Sequence, residues 1–594
     1  MPILDKAAQL QLRRRLRRRQ KQTENTVQKV TEHFDKDLIG RFSRLRKVKR
    51  FAVGWIGLIA LLVLGTLLQT LAMSGAFQTS QPVAGGTYHE GVVGTFSTAN
   101  PIYALGAVDT AVSRLMFSGL LKYDEDNNYS TDLADSFAVD DTGKVYTIKL
   151  KKNIKWHDGQ SLSADDIVFT YQLIQNPDTR SPLRASVEGV EIKKIDNLTV
   201  EFRLQTALGS FPLSLMTGIL PKHILKDVRP SEMRTTSFNT AHPVGSGPFE
   251  WKQLQLLSAE TDSTAATITL DKFKDFHGGA AELSRFVIHT YDTEDDMSNA
   301  FRKREIRAIS GMKSAAALYK DDSSAQMYSF QTTAALMIFF NTQSTGPLSS
   351  AEVRKAIMLG TNRREIIESL DQTLRIVREP VLRGQFAFDG QYAQPLSNFS
   401  LATDELNKAG WVVGEDGIRQ KDGKRLTFQL YAEETADNRI ITDELKKQWN
   451  KLGVDVGVTL QSSMFFQTTL ETRSYDAVLH GISIGNDPDV YAYWHSSQID
   501  NGGMNYSNYK SSEADLSLEA GRTRQSNAQR ALKYKPFLKA WQADTPAVAM
   551  FRPRIYYITR GPVYGLTEHI LNTDADRYYS VTKWQINTAM VDNY

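Results

Sequence analysis

The chain has 594 residues, 41% hydrophobic and 23% charged, and no cysteine. That length exceeds what one hydrophobic core supports, so several domains are expected, and the missing thiols exclude disulfides, thiol catalysis, cysteine-held zinc and lipid attachment through cysteine. The net charge of +4 hides a segregation: residues 1–50 carry 16 Lys or Arg against 5 Asp or Glu, while 51–594 carry 55 against 62, an acidic balance that speaks against nucleic-acid binding by the large part.

The basic stretch RRRLRRRQKQ at 13–22 reads as part of a cytosolic tail near anionic lipid. From Phe51 to Met73 the run FAVGWIGLIALLVLGTLLQTLAM holds no charge, and as a helix rising about 1.5 Å per residue it is long enough for a hydrocarbon core of about 30 Å. Basic residues crowd its N-terminal side, and no charged residue follows until Glu90. The bias predicts a transmembrane helix over 51–76, with the 1–50 tail in the cytoplasm and the main domain extracellular or periplasmic. A cleaved signal peptide fits less well, because its apolar core is about 7–15 residues and its basic lead is short.

A polar linker, QTSQPVAGG at 78–86, then opens a long alternation of strands and helices. KVYTIKL at 144–150 alternates like a half-buried strand, and in the next segment Asp158-Gly159 reads as a turn and Ser163 as a helix cap with Asp166 three residues on. VEIKKID and NLTVEFRLQ form a hairpin across Asp196-Asn197. Further on, helices are expected at 349–371, 401–409 and 437–452, and strands at 426–432, 455–460 and 475–482. This mixture implies an α/β body.

After the last of those strands, SIGNDPDVYAYWHSS at 483–497 gathers Asn486, Asp487, Asp489, Tyr491, Tyr493, Trp494 and His495. Ligands of α/β sheets favour the carboxyl ends of strands, and aromatic rings with a few carboxylates suit a binding cleft. The competing reading makes Asp487-Pro488 a turn and the rings core. Signatures of catalysis are missing: there is no G-x-S-x-G elbow, no phosphate-cradling G-x-x-x-x-G-K and no H-E-x-x-H zinc pair. Asp165 and Asp166 are adjacent, which suits capping better than paired acid and base work. No enzyme, cofactor or metal is expected; a hydrolase would need convergent carboxylates, Asp487 among them.

Several segments together carry a resemblance. YTIKLKKNIKWHDGQSLSADDIVFTY (146–171), PKHIL (221–225), PVGSGPFEW (243–251), VRKAIMLGTNRREII (353–367), LNKAGW (406–411), LKKQWNKLGVDV (445–456), YDAVLHG (475–481), NDPD (486–489), NYSNYKSSEAD (505–515) and ADTPAVAMF (543–551) occur in one order. In that order they resemble the peptide and nickel family (family 5, cluster C) of extracellular solute-binding proteins that feed ABC importers. The resemblance implies a type II periplasmic-binding-protein fold, a Venus flytrap of two α/β lobes with an extra domain in the first. Its divisions would be 87–115 and 230–330 in the first lobe, 116–229 for the extra domain, 331–540 for the second lobe and 541–594 returning to the first.

The resemblance also implies a monomeric receptor that encloses an oligopeptide, or an oligosaccharide or another solute, between its lobes and delivers it to a permease with nucleotide-binding subunits. The predicted helix, with lipid around 51–73, would replace the family's lipid anchor; the long basic tail leaves open a membrane-anchored sensor or chaperone. In the family's peptide binders an aspartate four residues before the proline of the D-P or E-P pair neutralises the ligand's α-amino group, and the matching position here is Ile484. Ile484 and Asn505 therefore join the seven residues above as candidate ligand contacts. Facing isoleucine, a buried ammonium lacks its charge partner, so either Asp487 or Asp489 takes over or the free amine is not gripped.

Overall fold

The computed structural model describes residues 49–76, 78–256, 264–312, 319, 322–370, 372–499 and 502–592. The arginine-rich stretch at 13–22, and the basic tail up to residue 48, lie outside the described residues. The chain divides into two units, 1–81 with 588–594, and 82–587.

In the first unit Lys49–Ala76 is a helix of 28 residues, and large apolar side chains such as Phe51, Leu61 and Leu68 are exposed on it. Among the described residues, however, no helix is long and apolar enough to cross a membrane. On that finding the expected transmembrane helix over 51–76 is withdrawn, and with it the lipid around 51–73, the membrane anchor and the single-pass topology with a cytoplasmic N-terminus. Part of the expected linker is a strand, Gln78–Val83, paired in a two-stranded sheet with Asn587–Asp592.

The second unit is built on two large sheets. The first has eight strands, in the spatial order Ile570–Leu571, Ala325–Thr332, Arg554–Arg560, Ala308–Met312, Thr87–Val93, Arg285–Tyr291, Thr264–Lys272 and Phe249–Leu256. Thr87–Val93 runs parallel to both its neighbours, whereas the pairs flanking them are antiparallel. The second sheet has six strands: Arg375–Ile376, Ala547–Arg552, Ala334–Phe340, Ala477–Ser483, Thr427–Glu433 and Asp455–Gln461. Its strand Ala334–Phe340 reads AALMIFF because both faces are covered. Ile338 and Phe340 enter one core and Met337 and Phe339 the other, the two-residue period of a strand.

A smaller sheet of four strands, Ala134–Val139, Val145–Leu150, Thr199–Arg203 and Glu191–Lys194, lies inside the range expected for the extra domain. Local patterning sets it. Val145–Leu150 alternates inward and outward as its sequence does, the 191–203 hairpin is antiparallel, and Ser163 with Asp166 forms a capping box at the start of the helix Ala164–Gln175.

The two large sheets are joined where Ala325–Thr332 continues past Thr333 into Ala334–Phe340, and again where Ala547–Arg552 continues past Pro553 into Arg554–Arg560. Proline has no N–H to give a ladder, which suits the break between strands. The crossings are tied together: Arg552 donates Nε and Nη2 to the Thr332 carbonyl at 2.9 and 2.6 Å, and the Thr332 hydroxyl donates to the Pro553 carbonyl at 2.9 Å. The six-stranded sheet thus includes Ala547–Arg552, and the chain passes to the eight-stranded sheet at Pro553.

In the first lobe Glu90, wholly buried, accepts from Arg577 Nε at 3.1 Å and Nη2 at 2.5 Å and from the hydroxyls of Tyr578 and Tyr557, each at 2.6 Å. Burial opposes the Arg577 cation, but the carboxylates of Asp574 and Glu90 outweigh it and hold its pKa well above the ordinary value. Breaking a buried pair from one side leaves the other charge uncompensated. Glu90→Gln is expected to lower stability by roughly 3–5 kcal/mol, read as a shift of the chemical unfolding midpoint; a variant as stable as the parent would show that this pair does not hold the lobe together.

Candidate functional site

A cavity of about 670 Å3 opens between the small sheet and the second lobe. Tyr129, Phe137, Tyr146, Leu208 and Gly209 line it from one side, and Gln385, Phe386, Asn486, Asp487 and Arg530 from the other. Its size is within the range of about 300–1,000 Å3 usual for small-ligand sites, and aromatic rings with a few polar groups are the usual lining.

The loop that carries Asn486 and Asp487 starts where the strand Ala477–Ser483 ends. The Ile484 N–H donates to the Thr333 carbonyl at 3.0 Å, so the loop leaves directly from the interlobe crossing. Gly485 has φ +78°, a left-handed turn that favours glycine, and Gln385 steadies the bend by donating Nε2 to the carbonyls of Gly485 and Asn486 at 2.9 and 3.2 Å.

Asp487 is paired. Arg530, on the helix Asn527–Asp544, donates Nη1 and Nη2 to its two carboxylate oxygens at 2.5 and 2.6 Å, and Nε to the Gly521 carbonyl at 3.1 Å. The guanidinium also lies 4.7 Å from the centre of the Phe386 ring. Burial disfavours the Arg530 cation, yet the hydrogen bonds and charge of Asp487 outweigh this and raise its pKa. The arrangement needs a glycine opposite: a Cβ on Gly209 would stand 2.8 Å from the guanidinium carbon.

Around the pair the wall is polar, and its hydrogen-bonding capacity is only partly used: the Tyr146 hydroxyl donates to the Leu208 carbonyl at 3.1 Å. Tyr129 has a buried hydroxyl without a hydrogen-bond partner among the described residues, and burial, with the charge of Asp487 second, raises its pKa. Burial likewise pushes the Tyr146 phenol up to about 12. The side-chain amides of Asn128, Asn486 and Asn527 also line the cavity.

Three hydrogen bonds hold the two sides together. Gly209 N–H donates to the Arg522 carbonyl at 3.0 Å, the Ser210 hydroxyl to Asp489 Oδ2 at 3.1 Å, and Gln525 Nε2 to the Asp140 carbonyl at 3.0 Å. Asp489 is at the same time ion-paired with Arg522 at 3.1 Å.

Of the nine residues expected at the site, Asn486 and Asp487 stand on the cavity wall, and Asp489 stands at the contact between its two sides. The others lie behind them. Ile484 is buried, its side chain in the second lobe's core. Trp494 is wholly buried between Phe339 and Trp541. Tyr491 stacks on His495 with centroids 4.0 Å apart and carries Arg522 on its ring. His495 is bonded through Nδ1 to Ser497 and through Nε2 to Glu519. Tyr493 donates its hydroxyl to the Ser483 carbonyl at 2.7 Å, and Asn505, wholly buried, donates to the carbonyls of His495 and Tyr509. Sequence reasoning missed Tyr129, Tyr146, Gln385, Phe386 and Arg530, which arrive from distant segments with no local motif.

Glu379 is wholly buried near the loop carrying Gln385 and Phe386; its Oε2 accepts from the Asp389 N–H at 3.3 Å and its Oε1 has no partner among the described residues. Burial pushes its carboxyl up to about 7.

Residues 128–503 match the family "Bacterial extracellular solute-binding proteins, family 5 Middle". The oligopeptide-binding protein AppA of Bacillus subtilis is 27% identical over 560 residues, covering 90% of this chain and 99% of AppA. The solved structure of AppA from Bacillus subtilis in complex with a nonapeptide superposes with a TM-score of 0.69 at 25% identity, covering 85% of this chain and 100% of that one. NikZ from Campylobacter jejuni in complex with Ni(L-His) shares the fold, with a TM-score of 0.72 at 23% identity over 84% of this chain and 99% of NikZ.

Two outcomes test the site's electrostatics. Asp487→Asn is expected to destabilise the protein by roughly 3–5 kcal/mol because Arg530 stays buried without its partner. Adding Arg530→Met should restore most of that loss in a double-mutant cycle, whereas strictly additive effects would show that the two side chains are not coupled. For Glu379, the folded form keeps its proton up to about pH 7 and the unfolded form loses it near 4.5. The folded state therefore binds more protons in that window, and the stability it draws from this group is full below about pH 4.5 and falls as pH rises to 7. Glu379→Gln should remove about 1–3 kcal/mol of this pH dependence; parallel stability profiles for parent and variant would refute it.

Proposed function

This chain belongs to the bacterial extracellular solute-binding proteins of family 5, and we propose that it is the receptor of an ABC importer, capturing oligopeptides between its lobes and passing them to a permease. It is not an enzyme, as its family and its likeness to binding proteins show. The peptide reading draws support from the oligopeptide-binding relative and from the structure that holds a nonapeptide.

The observation that carries the reading is the character of the cavity. The carboxylate–guanidinium pair of Asp487 with Arg530 is satisfied internally, Arg524 adds a second guanidinium to the lining, and Tyr129 with the asparagines offers donors and acceptors. Peptide groups present one donor and one acceptor per residue, so amide and phenol groups can match a peptide backbone without a carboxylate anchor. Asn486 and Asp487 contact the ligand in this reading, and Asp489 acts in closure through Ser210 and Arg522. Residues 116–229 serve as the extra domain, and the second lobe runs from 331 to the crossing at Pro553. Capture follows from tighter binding to the closed form than to the open one, with no bond changed.

With Ile484 in the core and Asp487 occupied by Arg530, no carboxylate among the described residues remains on the wall for a ligand ammonium. Calorimetric titration of the chain, freed of carried ligand by partial unfolding and refolding, with matched oligopeptide libraries is expected to give saturable binding of free and acetylated N-termini with affinities within about tenfold, about 1.4 kcal/mol. A strong preference for free amines would place an anionic anchor elsewhere. Absence of binding to both libraries would reject the peptide assignment, and oligosaccharides would be titrated next.

A further inference from the structure

A second cavity, of about 480 Å3, lies in the second lobe beside the interlobe crossing, and none of its lining residues belongs to the solute cavity. It is formed where the edge strand Arg375–Ile376 pairs with Phe551 and Arg552, together with the chain that follows as far as Ala393. Four arginines, Arg375, Arg378, Arg383 and Arg552, line it, and among the described residues no Asp or Glu does.

Their hydrogen-bonding capacity is largely unspent. Arg552 gives Nε and Nη2 to the Thr332 carbonyl, Arg378 gives Nη1 to the Gln394 carbonyl at 3.2 Å, and Arg383 lies 5.5 Å over the Phe388 ring. The Arg375 side chain is exposed and has no ion pair among the described residues. Each guanidinium carries five N–H donors, so among the described residues most of the N–H groups of these four arginines have no hydrogen-bond acceptor.

The nearby carboxylates stand off the cavity wall, although the charges of Arg378 and Arg383 are felt by Glu379. Asp389 pairs with Lys535 at 3.2 Å, and Glu379 is buried off the wall. The crowding of positive charge shows in the titration of the buried members. Burial, and then the charges of Arg375 and Arg554, lower the pKa of Arg552. Burial, and then Arg378, push that of neighbouring Arg363 down to about 10, and Arg363 Nη1 has no partner among the described residues. Like charges gathered in a concave, partly desolvated space attract a counter-ion more strongly than the same charges on an open surface.

We propose that this cavity is a binding site for a small multivalent oxyanion, a phosphate-bearing or polycarboxylate molecule gripped by Arg375, Arg378 and Arg383 with Arg552 behind them. Planar guanidinium forks bind the paired oxygens of phosphate and carboxylate bidentately, which lysines in the same places would not do. The site differs from the solute cavity, whose lining sets Asp487 against Arg530 and Arg524, in that four arginines stand together with no acid among the described lining residues.

The test is calorimetric titration of the full chain at low ionic strength with pyrophosphate and, separately, with citrate. At least one is expected to bind saturably at a site that Arg378→Gln with Arg383→Gln weakens at least tenfold. Removing the same charge elsewhere, in Lys446→Gln with Lys539→Gln, should leave affinity unchanged. Arg375→Gln, at an exposed strand end, is measured alongside and should weaken the same anion severalfold even if the double variant fails to fold. The tighter of the two probes tells phosphate from carboxylate chemistry. No saturable binding of either probe, equal losses in the arginine and lysine variants, or binding that persists unaltered in the arginine variants and so belongs to other basic residues such as those at 13–22, would each overturn the proposal.

Discussion

The passage of the chain between its two large sheets at Thr333 and Pro553 constrains everything around it. The crossings are neighbours, bound to each other through Thr332 and Arg552, so rotation of one lobe against the other is channelled through a few residues, as hinge motion generally is. Hydrogen bonds from a charged donor to a buried carbonyl contribute about 1.5–3 kcal/mol each, which keeps the hinge in one register while the flanking backbone turns. The loop bearing Asn486 and Asp487 is attached here as well, through the Ile484 N–H on the Thr333 carbonyl. Hinge and solute cavity therefore share a backbone origin.

Charge is handled in two ways. Glu90 with Arg577, and Asp487 with Arg530, are buried, bidentate or nearly so, and further bonded to hydroxyls or carbonyls. Such pairs recover their desolvation cost only with good geometry and add little net stability; what they contribute is register, since a displaced partner is expensive. The arginines beside the hinge follow the other pattern, gathered on one wall that has no acid among the described residues.

Local features were legible in the sequence because they need only neighbours. The alternation in VYTIKL, the Ser163–Asp166 box and the turn at Asp196-Asn197 depend on side chains within a few positions, and all three are present. The NDPD loop was legible as a strand-end loop, but not the acceptor role of Asp487, because its partner Arg530 lies 43 residues downstream on a helix with no motif. The aromatic cluster after it was ambiguous for a physical reason. Trp494 serves a core and a cleft equally well by composition, and packing against Phe339 and Trp541 decided for the core. The helix over the apolar run beginning at Phe51 was legible too, but a run of apolar letters reports helix and hydropathy without reporting how much of that helix can lie in lipid.

The Glu90 network has a consequence for how the protein is made. Glu90 and Arg577 are 487 residues apart, and the strand Arg554–Arg560, third in the order of the eight-stranded sheet and paired on both sides, comes late in the chain. Synthesis proceeds at about 5–20 residues per second and domains tend to fold as they emerge. The six-stranded lobe can close once Ala547–Arg552 has emerged, but the first lobe begins earlier and finishes last. For the interval between, its early strands wait with unpaired edges, and Glu90 waits without the cation that makes its burial tolerable. The first lobe is thus the slow, aggregation-exposed part of the molecule, and a holding chaperone would act there.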